Sequence, residues 1–323
     1  MRSSILELLR NASGYISGEE IAKKMNVSRT AIWKHIRELK QAGYAIESHS
    51  RSGYSLVKTP DLLLPNEIKS VLRTKRLGKS IKHFDDLVST NIEAKQLAAS
   101  GAEEGTIVVS EAQNGGRGRL SRGWYSPAHK GIWFSIILRP ALLPQDASKC
   151  TLMAAVAITK AIDKITGIKC GIKWPNDILY NGKKIVGILT EMNAEMEGIN
   201  YIVIGTGINV NIAKDEVPEE LKDIVISLAQ IKGERIDRLA LLAEVLIQLE
   251  EIYDEALTKG FREILEEWRK YSITLGQEVN VIGIDKTFCG LAMDIDADGA
   301  LLVKTETEVK RVLAGDVSIR PKI

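Results

Sequence analysis

A short glycine- and arginine-rich stretch, GGRGRLSRGW at residues 115–124, has the composition of an anion-binding loop. It contains four glycines and three arginines. Glycine lets a backbone run close to a ligand, and backbone N–H groups can then point at an anion. Arginine supplies the positive charge. The stretch therefore predicts a loop that folds over an anionic ligand, and the alternative is a solvated loop without a ligand.

Three other polar stretches are more unusual than a protein core requires. They are LVSTNIEAK, IKWPNDILYNGKKIVGILTE and YIVIGTGINVN. Taken singly, each has an ordinary explanation, namely a helix N-cap, a turn after a strand and a glycine-marked bulge. No Walker-type loop is present, and the glycine loop lacks the third glycine of a dinucleotide fingerprint. The four stretches occur in a fixed order among the predicted strands 106–113, 131–138, 185–192 and 200–210. This order makes a shared functional site a better explanation than four separate structural features.

The overall composition is that of an ordinary globular protein. With 323 residues, of which 45% are apolar and 27% charged, two or three domains are expected. No apolar run approaches the roughly 18 residues of a membrane span, and Glu7 and Arg10 interrupt the N-terminal run, so no signal peptide is expected. The three cysteines, Cys150, Cys170 and Cys289, are widely spaced, which favours a reducing compartment. We therefore expect a cytoplasmic protein with no membrane partner.

The positive charge is concentrated in the first 60 residues. This segment carries a net charge of +5, and the remainder carries −3. A small basic head on a slightly acidic body indicates that the head is the part that meets a polyanion.

The head has the pattern of a winged helix-turn-helix. Ser17 and Ser28 are each suited to cap a helix. The second helix carries Ile32, Ile36 and Leu39 at helical spacing, and a hairpin with its tip near residues 50–53 follows it. The start of such a second helix reads the major groove of DNA, and the alternative is a helical hairpin without DNA. The candidate DNA-binding residues are Ser28, Arg29, Thr30, Trp33, Lys34, Arg37 and Arg51.

Residues 273–323 alternate apolar and polar side chains between turns, which predicts a small antiparallel β-barrel. Asp294, Asp296 and Asp298 imitate the start of a calcium-binding loop. Thr305 occupies the position of the bidentate glutamate, however, and strands flank the segment. We interpret it as a hairpin turn.

Two prolines bracket a linker at residues 58–68. We expect an α+β multidomain protein with domains at residues 1–63, 67–272 and 273–323. The segment 237–257 is predicted to be an amphipathic structural helix.

The four stretches in this order resemble the bifunctional biotin–protein ligase and biotin operon repressor family. The GRGR loop and KWPND followed by GKKIVGIL are the most specific elements, and the resemblance extends over essentially the whole chain. It implies a winged helix-turn-helix head, a central mixed-sheet α/β ligase domain resembling class II synthetases, and a C-terminal SH3-like barrel.

The resemblance also implies the activity. The family joins biotin to a lysine of a biotin carboxyl carrier protein through biotinyl-5′-AMP, using ATP with Mg²⁺ on its phosphates. The adenylate is also the corepressor, and the loaded protein binds the biotin operator DNA as a homodimer.

Site residues carry over from the family one by one, and no metal-binding residue is expected. Catalytic roles fall to Lys184, Arg119 and Asp177. Biotin binding falls to Ser89, Thr90, Asn91, Gln113, Gly116, Arg117, Gly118, Arg119 and Lys184. Nucleotide binding falls to Arg119, Asn176, Lys184, Gly205, Gly207 and Asn209.

Other residues of the same stretches receive different expectations. Segment 211–228, which contains Val217 and Val225, corresponds to an adenine-covering loop. Lys183 is expected to face solvent, since neighbours on a strand point to opposite sides. Trp124 and Trp174 are expected to serve packing.

Two other functions remain open at this point. A biotin-sensing transcription factor without catalysis would not need Arg119, Lys184 and Asp177 together, because a sensor of biotin alone binds no triphosphate. A lipoate–protein ligase would share the general fold of the body, but the basic head and the GRGR loop favour biotin.

Overall fold

The chain forms two units, residues 1–62 and 63–323. The computed structural model describes residues 1–195, 198–283, 287–314 and 318–321. Within these ranges, no helix combines the length and the apolar character that a bilayer crossing requires.

Unit 1 consists of three helices followed by a β-hairpin. Its elements are α1 (Arg2–Asn11), α2 (Gly18–Met25), α3 (Arg29–Gln41), β1 (Ala45–His49) and β2 (Gly53–Lys58). The two strands pair antiparallel. The predicted helix-turn-helix and the hairpin after it are thus confirmed.

The predicted capping residues begin both helices of this motif. The Ser17 hydroxyl accepts the N–H of Glu20 at 3.0 Å, and the Ser28 hydroxyl accepts the N–H of Ala31 at 3.2 Å. These bonds satisfy N–H groups that the first turn of a helix leaves without a partner. The buried face of α3 is the predicted one, formed by Ile32, Ile36 and Leu39.

A seven-stranded mixed sheet forms the centre of unit 2. Its strands are β3 (Ile81–Phe84), β4 (Ile107–Ser110), β5 (Gly131–Leu138), β6 (Gly171–Lys173), β7 (Asp177–Tyr180), β8 (Lys183–Glu195) and β9 (Gly198–Asn209). The spatial order is β3-β4-β5-β9-β8-β7-β6. β3 and β4 are parallel, and the other pairs are antiparallel. The four predicted strand segments coincide with β4, β5, β8 and β9.

Helices cover both faces of this sheet. They are α4 (Pro65–Val71), α5 (Thr90–Ala99), α6 (Ala147–Thr166), α7 (Leu228–Lys232), α8 (Arg238–Lys259) and α9 (Arg262–Tyr271), with short 3₁₀ helices at Arg119–Ser121, Pro144–Asp146, Lys214–Glu216 and Glu219–Leu221. The main core, which α6 and α8 also line, takes Ile132, Phe134 and Ile136 from β5. On the opposite face, Ile137 packs with α5. Since alternate residues of a strand point to opposite faces, Ser135 lies on the α5 side.

The amphipathic helix predicted at residues 237–257 is α8. Asp237 caps it by accepting the N–H groups of Leu239 and Ala240 at 2.9 and 3.0 Å. Most of its apolar residues, among them Leu241, Leu242, Val245, Leu246 and Leu249, are buried in the main core, as the pattern predicted.

The C-terminal segment forms a five-stranded antiparallel sheet. Its strands are β10 (Glu278–Ile282), β11 (Thr287–Ile295), β12 (Leu301–Lys304), β13 (Val309–Val312) and β14 (Ser318–Pro321), in the order β13-β12-β11-β10-β14. The N–H of Asp296 donates to Ala300 O at 2.9 Å between β11 and β12. Arg311 binds the carboxylates of both Asp296 and Asp298. The acidic segment is therefore the predicted hairpin turn.

Candidate active site

A cavity of about 1170 Å³ lies over the sheet where β9, β8 and β7 adjoin the 115–124 loop. The predicted substrate residues that line it are Ser89, Thr90, Asn91, Gln113, Arg117, Gly118, Arg119, Asn176, Asp177, Lys184, Gly205, Gly207 and Asn209. Gly116 is buried behind this wall. Residues from four separate stretches of sequence thus meet at one site.

One part of the cavity wall is a network of uncharged hydrogen-bonding groups. The backbone N–H and the hydroxyl of Thr90 lie 2.9 and 3.2 Å from Oε1 of Gln113. Ser135 Oγ lies 2.8 Å from the Thr90 hydroxyl and 2.6 Å from Oδ1 of Asn91. The amide nitrogen of Gln113 donates to the Ser126 hydroxyl at 2.9 Å. Such a surface suits a neutral ligand that carries both donors and acceptors.

Ser89 occupies the N-cap position of α5. Among the described residues, no backbone N–H of α5 donates to its side chain. The side chain lines the cavity instead. Ser89 therefore stands at the helix N-cap, as the ordinary explanation of this stretch predicts, but its hydroxyl does not cap the helix.

The glycine-rich loop is held by its own backbone. The N–H groups of Gly115 and Gly118 donate to Val88 O at 3.0 Å and to Arg122 O at 2.7 Å. These two N–H groups therefore do not point at a ligand, which differs from the expectation. At Gly116, a Cβ would lie 2.6 Å from Trp124 O, so glycine is needed there for close backbone packing.

Arg119 lies between the central sheet and the C-terminal sheet. Its Nη1 donates to Oδ1 of Asn176 at 3.2 Å, and its Nη2 donates to the carbonyl of Ala314. Both partners belong to unit 2, so one guanidinium group joins the loop to the residue before β7 and to the segment that follows β13. Arg117, in contrast, is exposed.

Lys184 is held by a carboxylate and an aromatic ring. Its Nζ lies 2.6 Å from Oδ1 of Asp177 and 5.0 Å from the centroid of the Trp124 ring. An ammonium over an indole face is attracted by the ring quadrupole. Trp124 packs against Trp133, as expected, and also forms part of the cavity wall. Trp174 is buried and donates its indole N–H to Gly299 O at 3.0 Å, as expected for a packing residue.

Lys183 also differs from the expectation. Its Nζ donates to Lys222 O at 2.8 Å and lies 3.6 Å from the Asp223 carboxylate. Next to it, the backbone of Lys184 pairs with Val225 in an isolated bridge. The two lysines thus attach the 211–228 segment to β8, and Lys183 is only partly exposed.

The 211–228 segment adds an apolar wall. Leu221, Ile224 and Val225 line the cavity. Val217 is buried behind them with Trp133 and Ile212. The predicted apolar contact surface is therefore present, with Val225 facing the cavity and Val217 supporting it.

Two glycines of β9 leave room for larger side chains above them. A Cβ at Gly205 would lie 1.8 Å from Oδ1 of Asn91, and a Cβ at Gly207 would lie 2.2 Å from Nε1 of Trp124. Glycine is required at both positions because these side chains sit directly on the strand.

A buried ion pair supports the site from behind. Glu111 and Arg238 are both 0% exposed, and Arg238 Nη1 donates to Oε2 of Glu111 at 2.9 Å. Burial alone raises the pKa of the Glu111 carboxyl. The His83 ring, the Arg238 charge and the N–H of Leu63 outweigh burial and lower this pKa to about 2. The carboxylate thereby fixes the strand end that leads to Gln113.

In unit 1, every predicted DNA-binding side chain is exposed. Trp33 is 55% exposed although it is large and apolar, and the Arg37 guanidinium lies 5.8 Å from its ring centroid. The predicted DNA-binding set consists of Ser28, Arg29, Thr30, Trp33, Lys34 and Arg37 at α3 and Arg51 at the hairpin tip.

Sequence reasoning missed three residues that support the ligand-facing groups. They are Ser126, Ser135 and Glu191, whose carboxylate accepts from Asn91 Nδ2 at 2.9 Å. Ser135 carried a usable signal, because it is the only polar residue in the strand GIWFSIIL. Ser126 and Glu191 lie in segments whose composition carries no comparable signal.

This fold and site define a protein ligase with an N-terminal DNA-binding motif. Residues 83–209 match the biotin/lipoate A/B protein ligase family. Residues 2–55 match an HTH domain, and residues 274–320 match the biotin protein ligase C-terminal domain.

Full-length relatives identify the family more closely. The chain is 43% identical to the bifunctional ligase/repressor BirA of Bacillus spizizenii, over 99% of this chain and 98% of that protein. It is 29% identical to BirA of Escherichia coli (strain K12), over 98% and 96% of the two chains. The biotin protein ligase from Aquifex aeolicus in complex with biotin and ATP superposes with a TM-score of 0.66 at 30% identity, covering 76% of this chain and 100% of that one. The chain belongs to the bifunctional biotin ligase/repressor family.

Proposed function

We propose that this chain is an ATP-dependent biotin–protein ligase that also represses transcription of a biotin operon. The observation that carries the proposal is one cavity lined both by uncharged hydrogen-bonding side chains and by the cations Arg119 and Lys184. The first set suits the ureido ring of biotin, and the second suits a carboxylate and phosphates.

The cations act on the first reaction step. The biotin carboxylate attacks the α-phosphorus of ATP, forming biotinyl-5′-AMP and releasing pyrophosphate. Two anions approach each other in this step, so positive charge placed beforehand lowers the barrier. Lys184, held by Asp177 and Trp124, binds the carboxylate and α-phosphate. Arg119 binds the same groups and retains the adenylate.

The nucleotide side of the cavity is assigned to Asn176, Gly205, Gly207 and Asn209, with Leu221, Ile224 and Val225 against the adenine. Mg²⁺ binds through one or two carboxylates and substrate phosphates rather than in an all-protein cage. In this cavity, Oδ1 of Asp177 pairs with Lys184 and Oδ1 of Asn176 accepts from Arg119, so Mg²⁺ would be held mainly by the ATP phosphates. When bound, Mg²⁺ neutralises phosphate charge.

The second step transfers the biotinyl group. The acceptor is a lysine of a biotin carboxyl carrier protein, whose amine attacks the mixed anhydride and displaces AMP. Asp177 orients this amine and takes its proton. We assign residues 1–63 to a DNA-binding domain, 67–272 to the ligase domain and 273–323 to an SH3-like barrel that assists ATP and acceptor binding. The Arg119 bond to Ala314 O supports that assistance.

Repression uses the same intermediate. When the acceptor is scarce, the adenylate stays bound, the protein dimerises, and two heads bind a two-fold operator in the cytoplasm. A head of this size gains affinity and specificity from two half-sites. Lys184, Arg119 and Asp177 line one cavity, which argues against a catalytically inactive sensor. The basic N-terminal head argues against a lipoate ligase.

The first experiment is fluorescence anisotropy of a labelled biotin-operon promoter at fixed salt. The protein is titrated alone, with biotin, with Mg-ATP, and with both. We expect tighter binding only when both are present. Tightening by biotin alone would indicate a sensor, and no binding under any condition would remove the repressor role.

Two variants test the site. Lys184→Ala should slow pyrophosphate release, with Lys160→Ala, in a partly exposed ion pair, as the control. Arg119→Gly should still form adenylate but release it faster. Wild-type pyrophosphate release in Lys184→Ala, or a wild-type adenylate off-rate in Arg119→Gly, would remove that residue from the mechanism.

A further inference from the structure

A small apolar cluster joins the end of the glycine-rich loop to the 211–228 segment. Its members are the buried Trp133, Ile212 and Val217 and the partly buried Trp124, Tyr125, Leu221 and Val225. The cluster is separate from the main core of unit 2. The place of the 211–228 segment beside the cavity therefore depends on what attaches it to residues 124–133.

Glu216, which precedes Val217 in the chain, makes three polar contacts. Its Oε1 lies 2.6 Å from Nζ of Lys130, and its Oε2 accepts the N–H of Ala213 at 2.8 Å. Its backbone carbonyl accepts the hydroxyl of Tyr125 at 2.9 Å. One residue of the segment is thus bound by two side chains of the stretch that follows the glycine-rich loop.

Lys130 is a firm anchor for this contact. It immediately precedes β5 of the central sheet, and its carbonyl accepts the N–H of Asn211 at 2.6 Å. The hydrogen bond from Lys130 is the main reason that the pKa of the Glu216 carboxyl lies below its ordinary value. The bond to Ala213 closes a turn within the segment, whereas the bond from Lys130 crosses to another part of the fold.

The other end of the segment is attached to β8. The N–H of Lys184 donates to Ile224 O at 2.8 Å, and the N–H of Ile226 donates to Lys184 O at 3.1 Å. Leu221, which lines the cavity, lies between this attachment and Glu216. Its position over the cavity therefore depends on both ends of the segment.

We propose that Glu216 and Lys130 are positioning residues for the nucleotide, whose ion pair holds the apolar wall of the 211–228 segment against the base. Both side chains lie outside the cavity lining, so they act through Val217 and Leu221 rather than by touching ATP. The inference rests on the proposed function, because it takes the base of ATP as the group that this wall covers.

The experiment measures the KM for ATP and the KM for biotin by pyrophosphate release from full-length protein. Lys130→Met removes the charge that crosses to Glu216 and leaves the turn at Ala213. The KM for ATP should rise about threefold, the size expected for the loss of a partly exposed ion pair. The KM for biotin and kcat at saturating ATP should change little, because neither the uncharged network nor Lys184 is altered.

Lys222→Met is the matched control. The Lys222 side chain is 34% exposed, against 36% for Lys130, and it pairs with Glu219 inside the same segment. Its KM for ATP should equal that of the wild type, since this pair does not cross to another part of the fold.

Charge reversal tests the ion pair itself. Lys130→Glu places two carboxylates together and should raise the KM for ATP more than Lys130→Met does. The double variant Lys130→Glu/Glu216→Lys restores the attraction with the charges exchanged, so it should recover most of this loss.

Trypsin supplies a second readout that needs no catalysis. Lys214 is exposed within the segment, and the rate of cleavage after it, followed by mass spectrometry, reports how firmly the segment is held. Without ligands, this cleavage should be faster in Lys130→Met than in the wild type or in Lys222→Met.

Equal rises in the two KM values, an equal effect of Lys222→Met, no recovery on charge reversal, or unchanged cleavage after Lys214 would each overturn the proposal. Wild-type protein that releases no pyrophosphate from ATP and biotin would instead refute the proposed function. The cleavage comparison would then still test how the segment is attached.

Discussion

Replacing Glu111 by glutamine should destabilise unit 2 strongly and in a pH-dependent way. The carboxylate is fully buried, accepts the N–H of Leu63 at 2.6 Å and pairs with Arg238 at 2.9 Å. The His83 and His129 rings lie 3.5 and 3.3 Å away. Glutamine keeps the size of the side chain but leaves the Arg238 guanidinium without its carboxylate.

The magnitude follows from the pKa of this carboxyl. Its folded pKa is about 2, against an ordinary value of 4.5. At about 1.4 kcal/mol per pKa unit, ionised Glu111 contributes about 3 kcal/mol to the free energy of unfolding. Because the folded pKa is the lower one, this contribution is complete above about pH 4.5 and is lost as pH falls toward about 2.

The assay is urea unfolding followed by tryptophan fluorescence, since four of the five tryptophans lie in unit 2. At pH 7, Glu111→Gln should lower the free energy of unfolding by about 3 kcal/mol, within the range for breaking a buried ion pair. Between pH 5.5 and pH 3, its difference from wild type should shrink by about 2 kcal/mol.

The control is Glu267→Gln, which removes a partly exposed ion pair. It should cost about 1 kcal/mol or less, with little pH dependence. Two results would refute the assignment of stability to the buried carboxylate. One is a loss of unfolding free energy in Glu111→Gln that is smaller than in the control. The other is a loss that stays constant from pH 5.5 to pH 3.

Three further predictions concern the two units. Gly207→Ala should reduce pyrophosphate release at least about tenfold in folded protein, because the new Cβ displaces Trp124, 2.2 Å away; unchanged release would contradict the close packing. Arg37→Ala should weaken operator binding and lower the slope of log affinity against log salt by about one, measured by anisotropy. Gly53→Ala should lower the thermal stability of unit 1 and leave ligation intact, since φ is +101° and the Cβ would lie 2.1 Å from Ile16 O; wild-type DNA binding after heating would argue against it.

Local structure could be predicted from the sequence where a short segment contains all the determinants. The caps at Ser17 and Ser28, the buried face of α3 and the extent of α8 each depend on residues a few positions apart. The same holds for the turn between Asp296 and Ala300, where strand alternation and turn residues outweighed the resemblance to a calcium loop.

The membership of the site could be predicted from the motifs, whereas the geometry of individual side chains could not. Lys184 and Asp177 were expected together and lie 2.6 Å apart. Trp124 was expected to be packing; it does pack against Trp133, and it also forms a wall of the cavity because Gly207 on a distant strand leaves room for its ring. Lys183 was expected in solvent and instead holds the 211–228 segment, since strand alternation does not specify what packs against a strand end.

By itself, the sequence determined the helix-turn-helix, the strands and the residue types available for biotin and phosphate, because these depend on local pattern and on recognisable motifs. Only the tertiary structure decided that Glu191 orients Asn91, a contact between residues 100 positions apart. It likewise decided that Glu111 and Arg238, 127 positions apart, are buried as a pair. Hydrogen-bond direction and buried charge depend on neighbours that folding supplies, and no local pattern specifies them.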